Sequence, residues 1–306
     1  MVALLDAVLV DGYGVGAGFK AAAGWTREFS GTNKRVYRNN RLMGSGGYLR
    51  VDDAASDPRV CWVRAYESMT GVDAGTGPSP TAAQRADGQL WYKSSVANAT
   101  TRVWEAIATD QAIYLFVTVF PAAGTYIGVA TLPHFAGDIE SHVEGEKFAF
   151  MVGSNTHASF ANTTANGFMY PAASWGLGTV SGACYLLRSY TQLPGPASAD
   201  GALPSNGLTN RAWGGGGVAY PDPVSGALLL ERPLIFESAG IVRGKMPGVY
   251  IPLHSRPFAD GLLVKDVSVL PGVTLYAKVI NAMNAGSLDS YTAQSGQLLF
   301  DMTNRW

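Results

Sequence analysis

A chain of 306 residues with 47% hydrophobic content can bury the core of one large domain or of two ordinary ones. Its net charge of −1 leaves no electrostatic case for nucleic acid or an anionic membrane surface, and its 37 glycines and 16 prolines argue for turns and short strands over long helices. Only 15% of residues are charged, against roughly 25% in typical soluble domains, which suits a subunit packed against neighbours.

The opening ALLDAVLVDG (3–12) reads as a short helix ended by Gly12. Asp6 interrupts its apolar run and no basic leader precedes it, which is not a signal-peptide pattern. Gly12, Gly14 and Ala17 then spell G-x-G-x-x-G/A. That motif holds a pyrophosphate only where a helix starts inside a βαβ unit. Here Gly24 and the cluster Ser30-Gly31-Thr32-Asn33 break any helix within a few turns, and no parallel crossover follows. The glycines read instead as a turn where backbones approach closely, and no cofactor is expected.

Candidate strands come next at YLRVDD (48–53), RVCWVRAYE (59–67) and LWYKSS (90–95). The second puts Val60, Trp62, Arg64 and Tyr66 on one face and Cys61, Val63 and Ala65 on the other. TAAQRA (81–86), started by Pro80, reads as a short helix. RVWEAIATDQAIYLFVTVF (102–120) reads as a hairpin around Asp110-Gln111. From Ala112 to Pro133 there is no charge, but β-branched and aromatic residues flank a Pro-Ala-Ala-Gly break. Two buried strands joined by a turn account for that pattern, so no membrane insertion is expected. KFAFMV (147–152) and CYLLRSY (184–190) are further strands; the last third adds ALLLERPLIFE (227–237), GVYIPL (248–253), LLVKDVSVL (262–270), VTLYAKVI (273–280) and QLLFDMT (297–303).

Short strands with Gly and Pro punctuation indicate a mainly β, or β-rich α+β, fold. The expectation is antiparallel sheets forming a sandwich or barrel-like domain with long loops and little helix. Residues 1–24 read as the N-terminal helix and Gly-rich turn, 25–190 as a β-rich domain, 191–226 as a Pro/Gly-rich arm or loop, and 227–306 as a β-rich segment packed on the same domain. The segment 153–182 is uncharged and rich in Gly, Ser, Thr and Asn. The segment 191–226 holds Gly214 to Gly217 in a row and exposes Trp213 and Tyr220 to the choice between solvent and a neighbouring subunit.

Reactive constellations are few. The histidines are His134, His142, His157 and His254; PHFAGDIESHVEGE (133–146) groups two of them with Asp138, Glu140, Glu144 and Glu146. Its spacing matches no compact metal motif, and Gly137 and Gly145 mark it as a solvated acidic loop. Asp52, Asp53 and Asp57 lack a calcium-loop pattern and read as turn caps before Pro58. Cys61 and Cys184 read as two buried thiols. No G-x-S-x-G elbow exists, and the separation of any glycosidase carboxylate pair is spatial. Trp25, Trp62, Trp91 and Trp104 lie on or beside candidate strands, where core packing accounts for them. No catalytic, cofactor-binding or metal-ligating residue is therefore nominated, and the chain reads as a structural or interaction protein.

Six segments share a further property. LLDAVLVDGYG, AAGWTREFSGTNKRVYR, YLRVDD, VRAYESMTGVDAGTGPSPT, RGKMPGVYIPLHSRPFADG (243–261) and GQLLFDMTNRW (296–306) together resemble, in order, a family of virion-associated structural proteins of tailed bacteriophages. The resemblance implies a non-enzymatic virion component assembled in the host cytoplasm, an oligomeric tail or baseplate adaptor. It implies as partners further copies of the chain and other virion proteins. A head-decoration or neck protein, and a host-surface glycan-binding or depolymerising protein, are the alternatives.

Overall fold

The structure is a computed structural model that describes residues 1–54, 56–94, 97, 102–119, 130–154, 184–202, 218–237, 241–254, 257–265, 267–281, 295–303 and 306. An α-helix, α1 (Val2–Leu5), continues into a π-helical stretch, Asp6–Asp11, and stops at Gly12, whose φ is 88°. Leu5 and Leu9, four residues apart on one face, are fully buried and anchor the helix to the core. The glycine motif then closes as a hairpin: Tyr13 and Lys20 exchange backbone hydrogen bonds of 2.9 and 2.7 Å around a 3-10 turn, Gly16–Gly18. A Cβ on Gly14 would sit 2.6 Å from the Gly18 carbonyl oxygen, so this turn closes only with glycine. The chain leaves the turn toward an antiparallel strand and not toward the helix that a pyrophosphate site needs.

Strands β1 (Thr26–Gly31), β2 (Lys34–Arg38), β3 (Tyr48–Asp52), β4 (Val60–Tyr66) and β7 (Gln89–Tyr92) form a five-stranded sheet in the order β1-β2-β3-β4-β7, and β5 (Ser68–Gly71) pairs with β6 (Ala74–Thr76). Next come β8 (Trp104–Ala108), β9 (Ala112–Val119), β10 (Ala130–Asp138), β11 (Glu140–Ser141), β12 (Phe150–Gly153), β13 (Cys184–Arg188) and β14 (Pro194–Ala202). The last third contributes β15 (Leu230–Glu231), β16 (Leu234–Glu237), β17 (Ile241–Lys245), β18 (Val249–Pro252), β19 (Leu263–Val264), β20 (Leu275–Asn281) and β21 (Ser295–Asp301). A nine-stranded sheet runs β11-β17-β16-β14-β13-β12-β10-β9-β8, and a second five-stranded sheet runs β15-β18-β21-β20-β19. The protein is thus mainly β, with several antiparallel sheets and little helix. No sheet closes into a barrel: each order ends on two different strands, which removes the barrel-like alternative. Among the described residues no helix is long and apolar enough to cross a membrane.

Side-chain alternation explains where each strand lies. In β4, Cys61, Val63 and Ala65 are fully buried while Trp62 and Arg64 are half-buried, a period-two pattern at the strand's centre, whereas Val60 and Tyr66 at its ends are buried as well. β9 is apolar and buried from Ala112 to Val117 because both its faces are covered there. Its Ile113, Leu115 and Val117 enter one core cluster with Leu49, Val63 and Trp91 of the first sheet, while Tyr114 and Phe116 enter a second with Ile280 and Phe300 of the third. The hairpin around Asp110-Gln111 forms with a two-residue turn, Thr109 N–H donating to the Ala112 carbonyl at 2.9 Å.

Three local expectations are corrected. TAAQRA is one turn and not a helix: Thr81 and Gln84 bond each other's backbone N–H with their side chains, and the chain turns away at Gly88, φ 114°. A single turn has too few bonds to sustain a helix. The front of PHFAGDIESHVEGE is strand, not solvated loop, with Pro133 opposite Phe116 and His134 opposite Leu115. Gly137, φ 140°, serves there as a point of close approach, since a Cβ would overlap Ala112. Finally, residues 194–202, inside the 191–226 segment read as an arm or loop, form β14, paired on both sides by β13 and β16. Neighbouring strands override a loop-like composition, and Pro194 stands at the strand's first position, where a missing N–H is tolerated. Residues 155–183 and 203–217, with His157, Trp213 and most of the uncharged 153–182 segment, lie outside the described residues.

Candidate functional site

The candidate site is the outer edge of β8. In the β8–β9 ladder, Thr118 N–H donates to the Val103 carbonyl and Thr109 N–H to the Ala112 carbonyl, both at 2.9 Å. With the register Trp104↔Val117 to Ala108↔Ile113, the backbone groups of Glu105 and Ile107 face β9. Those of Trp104, Ala106 and Ala108 point the other way. Among the described residues no strand lies on that side and no partner bonds those three backbone positions.

The edge carries one charged side chain, and it is held. Glu105 accepts from Lys278 Nζ at 3.1 Å, and the same ammonium reaches Asp260 at 3.3 Å. Next to β8, Tyr276 has its phenol pushed upward, first by burial and then by Glu105.

Beside the strand lies a cleft of about 370 Å³ between Trp104, Ala106 and Ala108 on one side and Ala7, Val8 and the Lys20–Ala23 segment on the other. Alanines keep it open, because no long side chain fills it. Tyr13 closes one end, its ring edge-on to Trp104 at 5.2 Å and 80°. Apolar groups stand in solvent around this end: Val15 is 87% exposed, Val103 65%, and Tyr13 and Phe19 each 52%.

The hairpin that carries β8 is rigidly seated. Trp25 Nε1 donates to the Thr109 carbonyl at 2.9 Å, and Thr109 Oγ1 donates to the Trp306 carbonyl at 2.6 Å. The loop 39–47 docks on the same turn, with Asn40 N–H on the Asp110 carbonyl (2.8 Å) and Asn40 Nδ2 on the Asp110 carboxylate (2.9 Å). Its exposed tip, Leu42 and Met43, therefore stands at the same end of the molecule. Asp138 fixes the base of that loop, accepting from Ser45 Oγ at 2.5 Å and Asn39 Nδ2 at 2.9 Å. Burial raises the Asp138 carboxyl above its ordinary value, against these donors. Backbone donors and acceptors that no described residue bonds, flanked by apolar side chains, have the chemistry to pair with an extended strand.

Most of the other groups singled out in the sequence lie away from this edge and have partners. His134 stacks on Trp91 at 5.3 Å and 15°, its ring nitrogens 2.7 Å from Ser154 Oγ and 3.2 Å from the Tyr92 carbonyl. Burial holds its pKa at about 3, so the imidazole is neutral. His254 accepts from Leu229 N–H and faces the Val218 and Ala219 carbonyls, and His142 is exposed. Glu140 pairs with Arg232, and Glu146 with the fully buried Arg243. Glu144 is exposed. Asp52 meets Arg50 at 2.9 Å. Asp57 caps the turn through Arg59 N–H at 2.9 Å. Burial pulls the Asp53 carboxyl upward, but Lys93 and the Met1 ammonium outweigh it and hold it below its ordinary value. Cys61 and Cys184 are both buried thiols. Trp25 and Trp91 are core residues, Trp62 packs against the same core, and Trp104 spans the core and the cleft. Among the described residues no group of three or more His, Cys, Asp or Glu side chains could hold a metal ion.

Reasoning from sequence named Trp104 as core and missed the edge. The usable signal was WEAIA itself, a strand with one charge and small residues at alternate positions. No protein-family model matches the chain, and no curated protein matches it.

Proposed function

We propose that this chain is a non-enzymatic structural subunit of a tailed-phage virion, an oligomeric tail or baseplate adaptor. The observation that carries the assembly reading is the edge of β8, bare among the described residues, with its apolar surroundings, since exposed strand edges are ordinarily shortened, charged or covered. The virion setting rests on the six sequence segments that resemble virion-associated proteins. In this reading the sheets stack as a sandwich, with the nine-stranded sheet between the two smaller ones, and the β8 end meets neighbouring subunits by main-chain pairing and shape.

Immunogold electron microscopy of intact particles with antibody against the chain tests the setting. Gold at the tail tip supports the adaptor. Gold over the head moves the assignment to a decoration or neck protein. Particles free of label, in which mass spectrometry of the purified virions also finds no trace of the chain, overturn the virion reading.

The glycan reading has one observation in its favour, the Tyr13–Trp104 pair beside Lys20 and Asp110 in the cleft. Asp138 and Glu140, the carboxylates at which a depolymerase would first be tested, do not line that cleft. Release of reducing ends from host polysaccharide by the pure protein would restore it.

A further inference from the structure

We infer that β8 is a self-complementary edge, pairing antiparallel with β8 of a second copy about a two-fold axis at Ala106. The inference rests on the assembly reading in taking this edge as a contact, and it names the partner.

Three constraints select this pairing. The first is backbone direction. The outward groups belong to Trp104, Ala106 and Ala108, so a partner strand must present outward groups at the same spacing. A second β8 does so: Ala106 meets Ala106, and Trp104 meets Ala108 on both sides of the axis. All three opposed pairs then bond through N–H and C=O groups that no described residue uses. A shift by one residue would oppose groups already bonded to β9.

The second constraint is charge. Shifting by two residues so that the axis falls at Glu105 would set two carboxylates face to face, which is destabilising. With the axis at Ala106, Glu105 lies opposite Ile107, and each Glu105 keeps its own Lys278. The third is shape. Trp104 and Ala108 are the largest and among the smallest residues of the strand, and the two-fold axis places each against the other. An isologous contact of this kind is closed, so it ends in a dimer and not in a fibre. The exposed Val103 and Tyr13 flank the pairing and extend it beyond the five strand residues.

The test uses the full-length chain in solution. Light scattering coupled to size exclusion is expected to give a dimer for the wild type. Ala106→Cys is expected to form a disulfide-linked dimer on mild oxidation, because opposed residues of a hydrogen-bonded antiparallel pair lie about 5.5 Å apart at Cα, within disulfide reach. Cys61 and Cys184 are buried and do not compete. Ala106→Pro removes an N–H that β9 does not use; it is expected to keep the circular dichroism of the wild type and weaken dimerisation at least about tenfold. A wild type that stays monomeric, an Ala106→Cys chain that stays uncrosslinked, or a folded Ala106→Pro chain that stays dimeric overturns the inference. If Ala106→Pro does not fold, the cysteine variant decides alone. The two readings fail separately: a monomer that labels the tail tip removes the β8 pairing and leaves the virion assignment, while a crosslinked dimer missing from particles does the reverse.

Discussion

The nine-stranded sheet ends in two edges built on opposite plans. At one end β11 is two residues long and set among ions. Glu140 holds Arg232, Ser141 donates to Glu146, and Glu146 pairs with Arg243, which is buried completely. Arg243 Nε also lies 2.6 Å from Glu237, without the alignment of a hydrogen bond. At the other end β8 is five residues long, has alanines at two of its three outward positions, and bears one charge already engaged by Lys278. A short charged edge gives an incoming strand nothing to extend; a longer apolar one does. The difference separates a short, ion-bound end of the sheet from a longer, apolar end whose outer backbone groups no described residue bonds.

Breaking the ionic end has the largest expected effect. Arg243→Leu leaves Glu146 and Glu237 buried without their cation and is expected to cost about 3–5 kcal/mol in urea unfolding. A loss below about 1 kcal/mol would mean that the ions do not hold this edge. Burial already pushes the Glu237 carboxyl above its ordinary value in spite of Arg243, so the site has little tolerance for a lost partner.

Between the two edges, acid sharpens the comparison. His134 sits in β10 with a folded pKa of about 3 against an ordinary 6.5. The unfolded chain takes up this proton first, so stability is full above the ordinary value and falls as pH drops toward the folded one. The slope approaches about 1.4 kcal/mol per pH unit. Asp138 works in the opposite sense: its raised folded value means a contribution present in acid and lost as pH rises through it. Unfolding measured at pH about 7.5 and about 5 in the wild type and in His134→Phe isolates the histidine, whose slope is expected to vanish in the variant.

The smallest change tests the open end. Tyr13→Ala removes the edge-on contact with Trp104 and is expected to cost about 0.5–1.5 kcal/mol in thermal unfolding. Self-association should fall with it, whereas Arg243→Leu assayed under folding conditions should leave association unchanged. If both variants weaken association equally, the two edges are not independent.

Much of the fold was legible in local pattern. The alternation in β4, the hairpin at Asp110-Gln111 and the apolar run of β9 from Ala112 to Val117 each name a strand and its degree of cover. The illegible part depends on neighbours far away in the chain. β14 looks like a loop until β13 and β16 flank it. His134 and Asp138 looked solvated because Gly137 marks a turn in most contexts, whereas here it lets β10 lie against Ala112. The site was least visible of all. Whether β8 is an edge depends on β7 joining another sheet, and the group that neutralises Glu105 stands 173 residues away at Lys278. Strand order and charge pairing of this kind leave no periodic trace in the sequence.

The positions of the two cysteines carry a practical consequence. Cys61 belongs to the core shared by the first sheet and one face of the nine-stranded sheet, and Cys184 to the core on the opposite face. Burial pushes the Cys61 thiol up to about 12, so it stays protonated and unreactive while its surroundings are closed. Each hydrophobic layer thus contains its own stopwatch. The rate at which an alkylating reagent consumes one thiol or the other reports which layer opens first, with no label added and no residue changed.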